Sequence, residues 1–405
     1  MAHARRPGED RAVSGKNRQG EPLRVALVAG GLGKGGAEKQ LVYMARALKG
    51  AGVDVRVYCL SRGEFYERAL SEMGLAPRWI GQHASPPLRV LKLTAELITY
   101  RPHIVQSAHF YTNLYAAAAS RACGAVSIGS IRSDALYEMK MNRFYGPLLL
   151  RAPGGLIANS NAARLNAPAI GARAGEITVV SNVIDIEAFD REAGPRRPPV
   201  EGDGATCMVV CNLRAKKRVD VFLRALAIAR RDAPTLRGVV VGDGEKRNPL
   251  EAEARELGLL PAGVEFLGRR DDVPALMRRG DIFVMPSEHE GFPNVILEAM
   301  AASLPVVTTP AGDAATVVVN GVTGYVVDFD DVEGMAGHLA ALWKSREMRE
   351  RAGNAGRRRV EQDYSFGSLG ARLLAVYAEL AARHGNSRLR MALQTTSISG
   401  SHLNA

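Results

Sequence analysis

Two glutamates with seven residues between them, Glu290 and Glu298, lie in the stretch "PSEHEGFPNVILEAMA". Glu290 is followed by Gly291, Phe292 and Pro293. Proline fits the first helical turn, where its missing N–H is not needed, so the stretch predicts a helix from about Asn294. The free N–H groups and positive dipole end of that helix form a site for a diphosphate. Glu298 follows about one turn later, where a carboxylate can accept hydrogen bonds from ribose hydroxyls. Taken alone, two such glutamates are ordinary surface acids, and their surroundings decide the reading. The turn "NLRAKKRVD" (212–220) carries Arg214 and Lys217, residue types that make charge-assisted phosphate contacts; a solvated basic turn has the same composition. Near the start, "VALVAGGLGKGGAEKQL" spells G-x-G-x-x-G at Gly31, Gly33 and Gly36. Between a strand and a helix this is the pattern of a dinucleotide site.

The elements that must position these residues alternate regularly. Apolar runs at 23–29, 53–60, 103–107, 126–131, 155–159 and 177–181 read as strands. Between the first two, Leu41, Met44, Ala45 and Leu48 fall on one helical face, and Gly50 and Gly52 end it. The proline- and charge-rich "DREAGPRRPPVEGDGA" (190–205) reads as a linker, after which "ATCMVVC", "RGVVVGDG", "VEFLG", "DIFVMPS", "LPVVTT" and "GYVVD" repeat the alternation. The expected fold class is α/β, two facing Rossmann-like domains with parallel sheets and a ligand cleft at their strand ends. Its parts are a disordered tail over 1–22, a first domain over 23–190, a linker over 191–204 and a second domain over 205–365. A helix at 366–384 then crosses back, and a disordered tail fills 385–405.

Composition narrows the function classes. At 405 residues and 46% apolar content the chain can bury two full cores. No apolar run approaches the ~18–20 residues of a membrane-spanning helix, and the start has no apolar h-region, so a cytoplasmic location is expected. Of the net charge of +11, residues 1–24 carry +3 and residues 383–405 another +3. The basic excess suits anionic partners, with no recognisable nucleic-acid module. Cys59, Cys123, Cys207 and Cys211 lack zinc-type spacing and read as buried free thiols.

The Glu290–Glu298 block resembles the E-x7-E signature of the retaining glycosyltransferases of family 4, the group 1 transferases. "GGAEK" (35–39), "ANSNAARL" (158–165), "VVSNVIDIEAF" (179–189), "NLRAKKRVD" and "NGVTGYVVD" are similar to further family segments in order and spacing, over about 24–382. The resemblance implies the GT-B fold, a nucleotide-sugar donor such as a UDP- or GDP-sugar, and a glycan or lipid-linked acceptor in surface polysaccharide or glycolipid synthesis. It also implies retention of anomeric configuration without cofactor or bound metal. By the same resemblance Glu290 contacts the donor sugar, helped by backbone N–H groups of Gly291, Phe292, Asn294 and Val295. Lys217 meets the phosphates, Glu298 the ribose and Arg269 the base, while Gly35 and Gly36 approach the phosphates or the acceptor. Many members carry G-R-L five residues before the lysine; here that position is Asn212, and Arg214 is the nearest guanidinium that could replace the arginine.

Several residues keep two readings. His109, just after a strand, is either catalytic or acceptor-orienting, or structural. Arg132 and Asp134 in "SIRSD" face an acceptor or form a structural salt bridge. Asp328 and Asp330 spell D-x-D, but after a strand such acids cap the next helix rather than bind metal. The glycine pattern admits an NADP oxidoreductase with Arg62 on a 2′-phosphate, which leaves the two-glutamate block without a role; a catalytically silent binding subunit is a further alternative. The segment 139–155, with Lys140, Arg143 and Arg151 around apolar residues, is either a peripheral contact with an anionic membrane or an ordinary buried helix.

Overall fold

Strand β1 (Arg24–Ala29) is followed by a loop and the helix Gly36–Gly50, and this strand–loop–helix unit recurs along the chain. The computed structural model describes residues 21–81, 84–133, 145–195 and 204–401. The first sheet comprises β1, β2 (Asp54–Cys59), β3 (Arg78–Trp79), β4 (Ile104–Ser107), β5 (Val126–Ile131), β6 (Gly155–Ala158) and β7 (Ile177–Val179), in the order β3-β2-β1-β4-β5-β6-β7. The second comprises β8 (Thr206–Val210), β9 (Arg237–Val241), β10 (Val264–Gly268), β11 (Ile282–Met285), β12 (Val306–Thr308) and β13 (Gly324–Val326), in the order β10-β9-β8-β11-β12-β13. All these pairings are parallel. The strands are nearly continuous apolar runs because helices cover both faces; β5 and β11 are buried at every position. The order reverses at β1/β4 and at β8/β11, where a crevice opens at the carboxyl ends. The glycine loop leaves β1, the basic turn leaves β8 and the Glu290 loop leaves β11, so all three meet at these points.

The chain changes domain twice, and the two crossings touch. Ile184 N–H donates to the Tyr364 carbonyl (2.9 Å) and Phe366 N–H to the Ile184 carbonyl (2.9 Å). The helix Leu369–Arg383 then packs Leu373, Tyr377 and Leu380 into the first domain's core. Two boundaries differ from the sequence reading. The helix Ile186–Ala193, expected to end the first domain, packs Phe189 and Ala193 against Met277 and Phe283 of the second. Its Asp190 also pairs with Arg357 (2.8 Å) and with Arg278. The expected disordered tail from 385 instead contains the helix Ser387–Ser401. Its apolar residues are few, but Leu389, Ala392 and Leu393 are buried in the first core, which supplies the order that composition alone does not. Most of the first tail (1–20), residues 196–203 of the linker, Asp134 and residues 139–144 lie outside the described residues.

Candidate functional site

A cleft of about 1140 Å³ separates the domains. Lys217 and Glu290 line it, and their side chains pair at 2.5 Å. Lys217 ends the short 3-10 turn Ala215–Lys217 after β8, and Glu290 follows β11. The two loops are tied directly, because Glu288 N–H donates to the Lys216 carbonyl (2.9 Å). Behind the pair, burial pushes the Cys211 thiol up to about 12, the Lys217 charge only partly offsetting it.

The Glu290–Gly291 loop is wedged between backbones. A Cβ on Gly291 would stand 2.7 Å from Ser133 Cα and 2.8 Å from the Arg132 carbonyl oxygen, both in the first domain. From behind, Gly312, at φ +59°, closes on the same loop, and Asp313 N–H donates to the Gly291 carbonyl (3.1 Å). Only a bare backbone fits there.

The helix Asn294–Ala301 starts as expected, with Pro293 at the cap position, extended (ψ 94°) and without a side-chain cap. Its first turn lines the cleft, with Pro293, Asn294 and Val295 at the wall, so the positive end of its dipole is turned to that space. The Asn294 side chain is already engaged: its Oδ1 accepts from Asn182 Nδ2 (2.8 Å) and Gln40 Nε2 (3.4 Å), and its Nδ2 donates to the Gly36 carbonyl (3.1 Å). One turn on, Glu298 accepts from Lys39 Nζ at 2.7 Å, across the cleft from the first domain. Burial would lower the Lys39 ammonium, but the Glu298 charge outweighs it and holds the pKa well above the ordinary lysine value.

Gly35 and Gly36 line the cleft, as do Arg269, Phe292 and Val295. A Cβ on Gly36 would come 2.6 Å from Asn294 Nδ2. Arg214 is different. It stands exposed, with extended backbone, at the start of the 3-10 turn, and the cleft is lined by Asn212, Lys216 and Lys217 instead.

His109 lies beneath the glycine loop and does not line the cleft. Its Nδ1 accepts from Gly30 N–H (3.2 Å), so the neutral ring carries its proton on Nε2, 3.2 Å from Glu38 Oε1. Burial raises the Glu38 carboxyl, yet the hydrogen bond with His109 brings it below the usual value. Arg132 does line the cleft, and no carboxylate partners it among the described residues. Its Nη2 meets Met44 Sδ (3.2 Å), its Nη1 meets Asn182 Oδ1 (3.5 Å) and its buried Nε has no partner. Burial lowers its pKa to about 10. Of the D-x-D acids, Asp330 pairs with Arg218 (2.6 Å); the helix cap expected of them falls instead on Asp331, which accepts from Gly334 N–H (2.8 Å).

Two contributors were invisible in the sequence. Asp313, in the second domain, accepts from the N–H groups of Asn161 (2.8 Å) and Ala162 (3.0 Å), capping a first-domain helix from across the seam. Gln40 exchanges two hydrogen bonds with the Val183 backbone (2.7 and 3.1 Å). Neither has a local signal, because each partner is more than a hundred residues away.

Comparison with known proteins agrees with this fold. The family model described as "Glycosyltransferase Family 4" matches residues 34–188, and that described as "Glycosyl transferases group 1" matches 190–359. A glycogen synthase of Mycobacterium tuberculosis is 33% identical over 213 residues, 52% of this chain and 50% of the relative. The chain thus matches about half the length of that curated relative. Among solved structures, Anabaena HepE in complex with UDP-glucose superposes with a TM-score of 0.75 at 20% identity, covering 88% of this chain and 100% of the other. Sucrose-phosphate synthase from Thermosynechococcus elongatus superposes with a TM-score of 0.74 at 17% identity, covering 89% and 100%. Both share the arrangement of two Rossmann-like domains.

Proposed function

Since the chain belongs to the group 1 glycosyltransferases of family 4 and has their GT-B fold, we propose that it moves a sugar from a UDP- or GDP-sugar to a hydroxyl of a glycan or lipid-linked acceptor, with retention of configuration. The observation that carries this reading is the Lys217–Glu290 pair at the cleft floor, beside the uncapped start of the helix Asn294–Ala301. A diphosphate entering there meets the Lys217 ammonium and the free N–H groups of the first turn. Both stabilise the negative charge that develops as the bond to the sugar breaks. Glu290, released from Lys217, accepts hydrogen bonds from the sugar's hydroxyls, and Glu298, released from Lys39, accepts from the ribose. Arg269 lies at the rim where the base would sit.

Transfer proceeds on the front face. The bond from the anomeric carbon to the diphosphate breaks, the acceptor oxygen bonds to the same face, and its proton passes to a leaving phosphate oxygen. Lys217 and the helix terminus carry the charge in this course, so no resident metal is called for. Buried Arg132, without a counter-charge among the described residues, lines the cleft on the first-domain side where an acceptor would approach. His109 acts as a positioning residue, holding Gly30 and Glu38 beneath the loop. Work on a lipid-linked acceptor would place the protein at the inner face of the cytoplasmic membrane.

A thermal-shift screen against UDP-, GDP- and ADP-sugars, with NADPH as control, tests this reading. Stabilisation by one sugar nucleotide and not by NADPH is expected; stabilisation by NADPH alone would overturn it.

A further inference from the structure

The helix Pro86–Tyr100 is apolar on two opposite faces. Leu93, Leu97 and Tyr100 enter the first domain's core. Leu88, Leu91, Ala95 and Ile98 follow at spacings of three, four and three, which at 100° per residue gathers them on the far side. Leu88 is 43% exposed, Leu91 63% and Ile98 54%. Beside this stripe, at the sheet edge, Trp79 is 44% exposed, with Arg62 and Lys92 over its ring at 5.0 and 5.5 Å. Three residues on from Arg62, Phe65 is exposed beneath Lys34 at the mouth of the cleft. The helix has a single acid, Glu96, which Arg78 neutralises at 2.6 Å. At its other end, Ile98 and Arg101 line a pocket of about 370 Å³ together with Arg24, Arg388 and Glu21, which pairs with Arg24 at 2.5 Å and leaves a net excess of positive charge.

We propose that this face, from Phe65 and Trp79 along Leu88, Leu91 and Ile98 to the arginine pocket, docks on an anionic lipid bilayer. Apolar side chains flanked by cations, with an indole between them, match the acyl and headgroup layers of a membrane surface. A second copy of the chain would bring the same cations together, and the edge strand β3, two residues long, offers little for strand pairing. No helix among the described residues is long and apolar enough to cross a membrane, so the contact is superficial. This surface also differs from the segment 139–155 picked out by sequence, of whose described residues Leu149 and Leu150 are buried while Tyr145 and Leu148 are exposed.

Flotation with phosphatidylcholine vesicles, with and without phosphatidylglycerol, tests the proposal on the full chain. The protein should float with the anionic vesicles at low salt and stay down with neutral ones. The Leu88→Ser/Leu91→Ser double variant should partition at least ~10-fold less, as expected for two leucines withheld from an apolar phase. Because this variant keeps the basic tails, equal flotation of variant and parent would overturn the proposal, as would failure of the parent to float. A dimer that dissociates in the double variant would also overturn it, assigning the stripe to a second copy. Trp79 gives a readout without altering the stripe: in a Trp343→Phe background its emission should shift to the blue with anionic vesicles, and an unmoved spectrum would contradict the contact. Nucleotide binding by the same variants should match the parent, which separates this inference from the transfer reading.

Discussion

Lys39 Nζ lies 2.7 Å from Glu298 Oε1, joining the first domain to the second directly across the cleft. The carboxylate assigned to the donor's ribose is therefore occupied when no donor is present. Lys39→Met should free it and lower the Kd for a nucleoside diphosphate by up to ~5-fold, the weight of a part-exposed ion pair. Calorimetric titration checks this, and an unchanged Kd would show that the lysine does not compete.

Glu298→Gln acts in the opposite direction. It removes the ribose acceptor and leaves a half-buried ammonium without its counter-charge, so the nucleoside diphosphate Kd should rise ~10-fold and the Tm should fall by a few degrees. Titration and a melting curve on the same sample measure both.

Gly291→Ala tests the wedge. The added methyl meets Ser133 Cα at 2.7 Å, a backbone atom that cannot rotate away. The domains must part slightly, and misplacing the donor by about an ångström should lower transfer on the order of 100-fold. Solution scattering should show a larger radius of gyration with unchanged secondary structure.

Acid should loosen the segment that carries the chain from the first domain to the second. Hydrogen bonding to Arg357, with the Arg278 charge added, holds Asp190 below its ordinary 3.8. Asp185, raised by burial but lowered more by the Ala188 N–H and Arg46, also ends below 3.8. A depressed carboxyl contributes stability that is present above its unfolded value and lost as pH falls through the folded one. The Tm should therefore drop below about pH 4. Asp190→Asn should lower the Tm at neutral pH and flatten that acid slope, as a melting series across pH would show.

The strands and the loops at their carboxyl ends were legible because burial on both sheet faces forces continuous apolar runs, and glycine, proline and lysine mark the turns. Residues whose role depends on how the two domains meet were not. Lys39, Gln40 and Asp313 sit in ordinary helical or loop contexts, and only the packed fold brings them to their partners. Arg214 shows the limit at finer scale: it lies three residues from Lys217, yet it stands exposed while Lys217 reaches Glu290. The G-x-G-x-x-G pattern is ambiguous by itself for a related reason. At Gly36 the lack of a side chain leaves room for Asn294, a residue of the facing domain, and sequence spacing carries no trace of that neighbour.

The central claim is that Lys217 stabilises the diphosphate of a sugar-nucleotide donor in this cleft. Titrating UDP and GDP into the parent and Lys217→Ala proteins, alongside transfer rates with the matching sugar nucleotide, measures it most directly. One nucleotide should bind the parent, and Lys217→Ala should keep its fold while losing at least ~100-fold in transfer rate. A Lys217→Ala protein that transfers at the parent rate, or a parent that binds neither nucleotide, would contradict it.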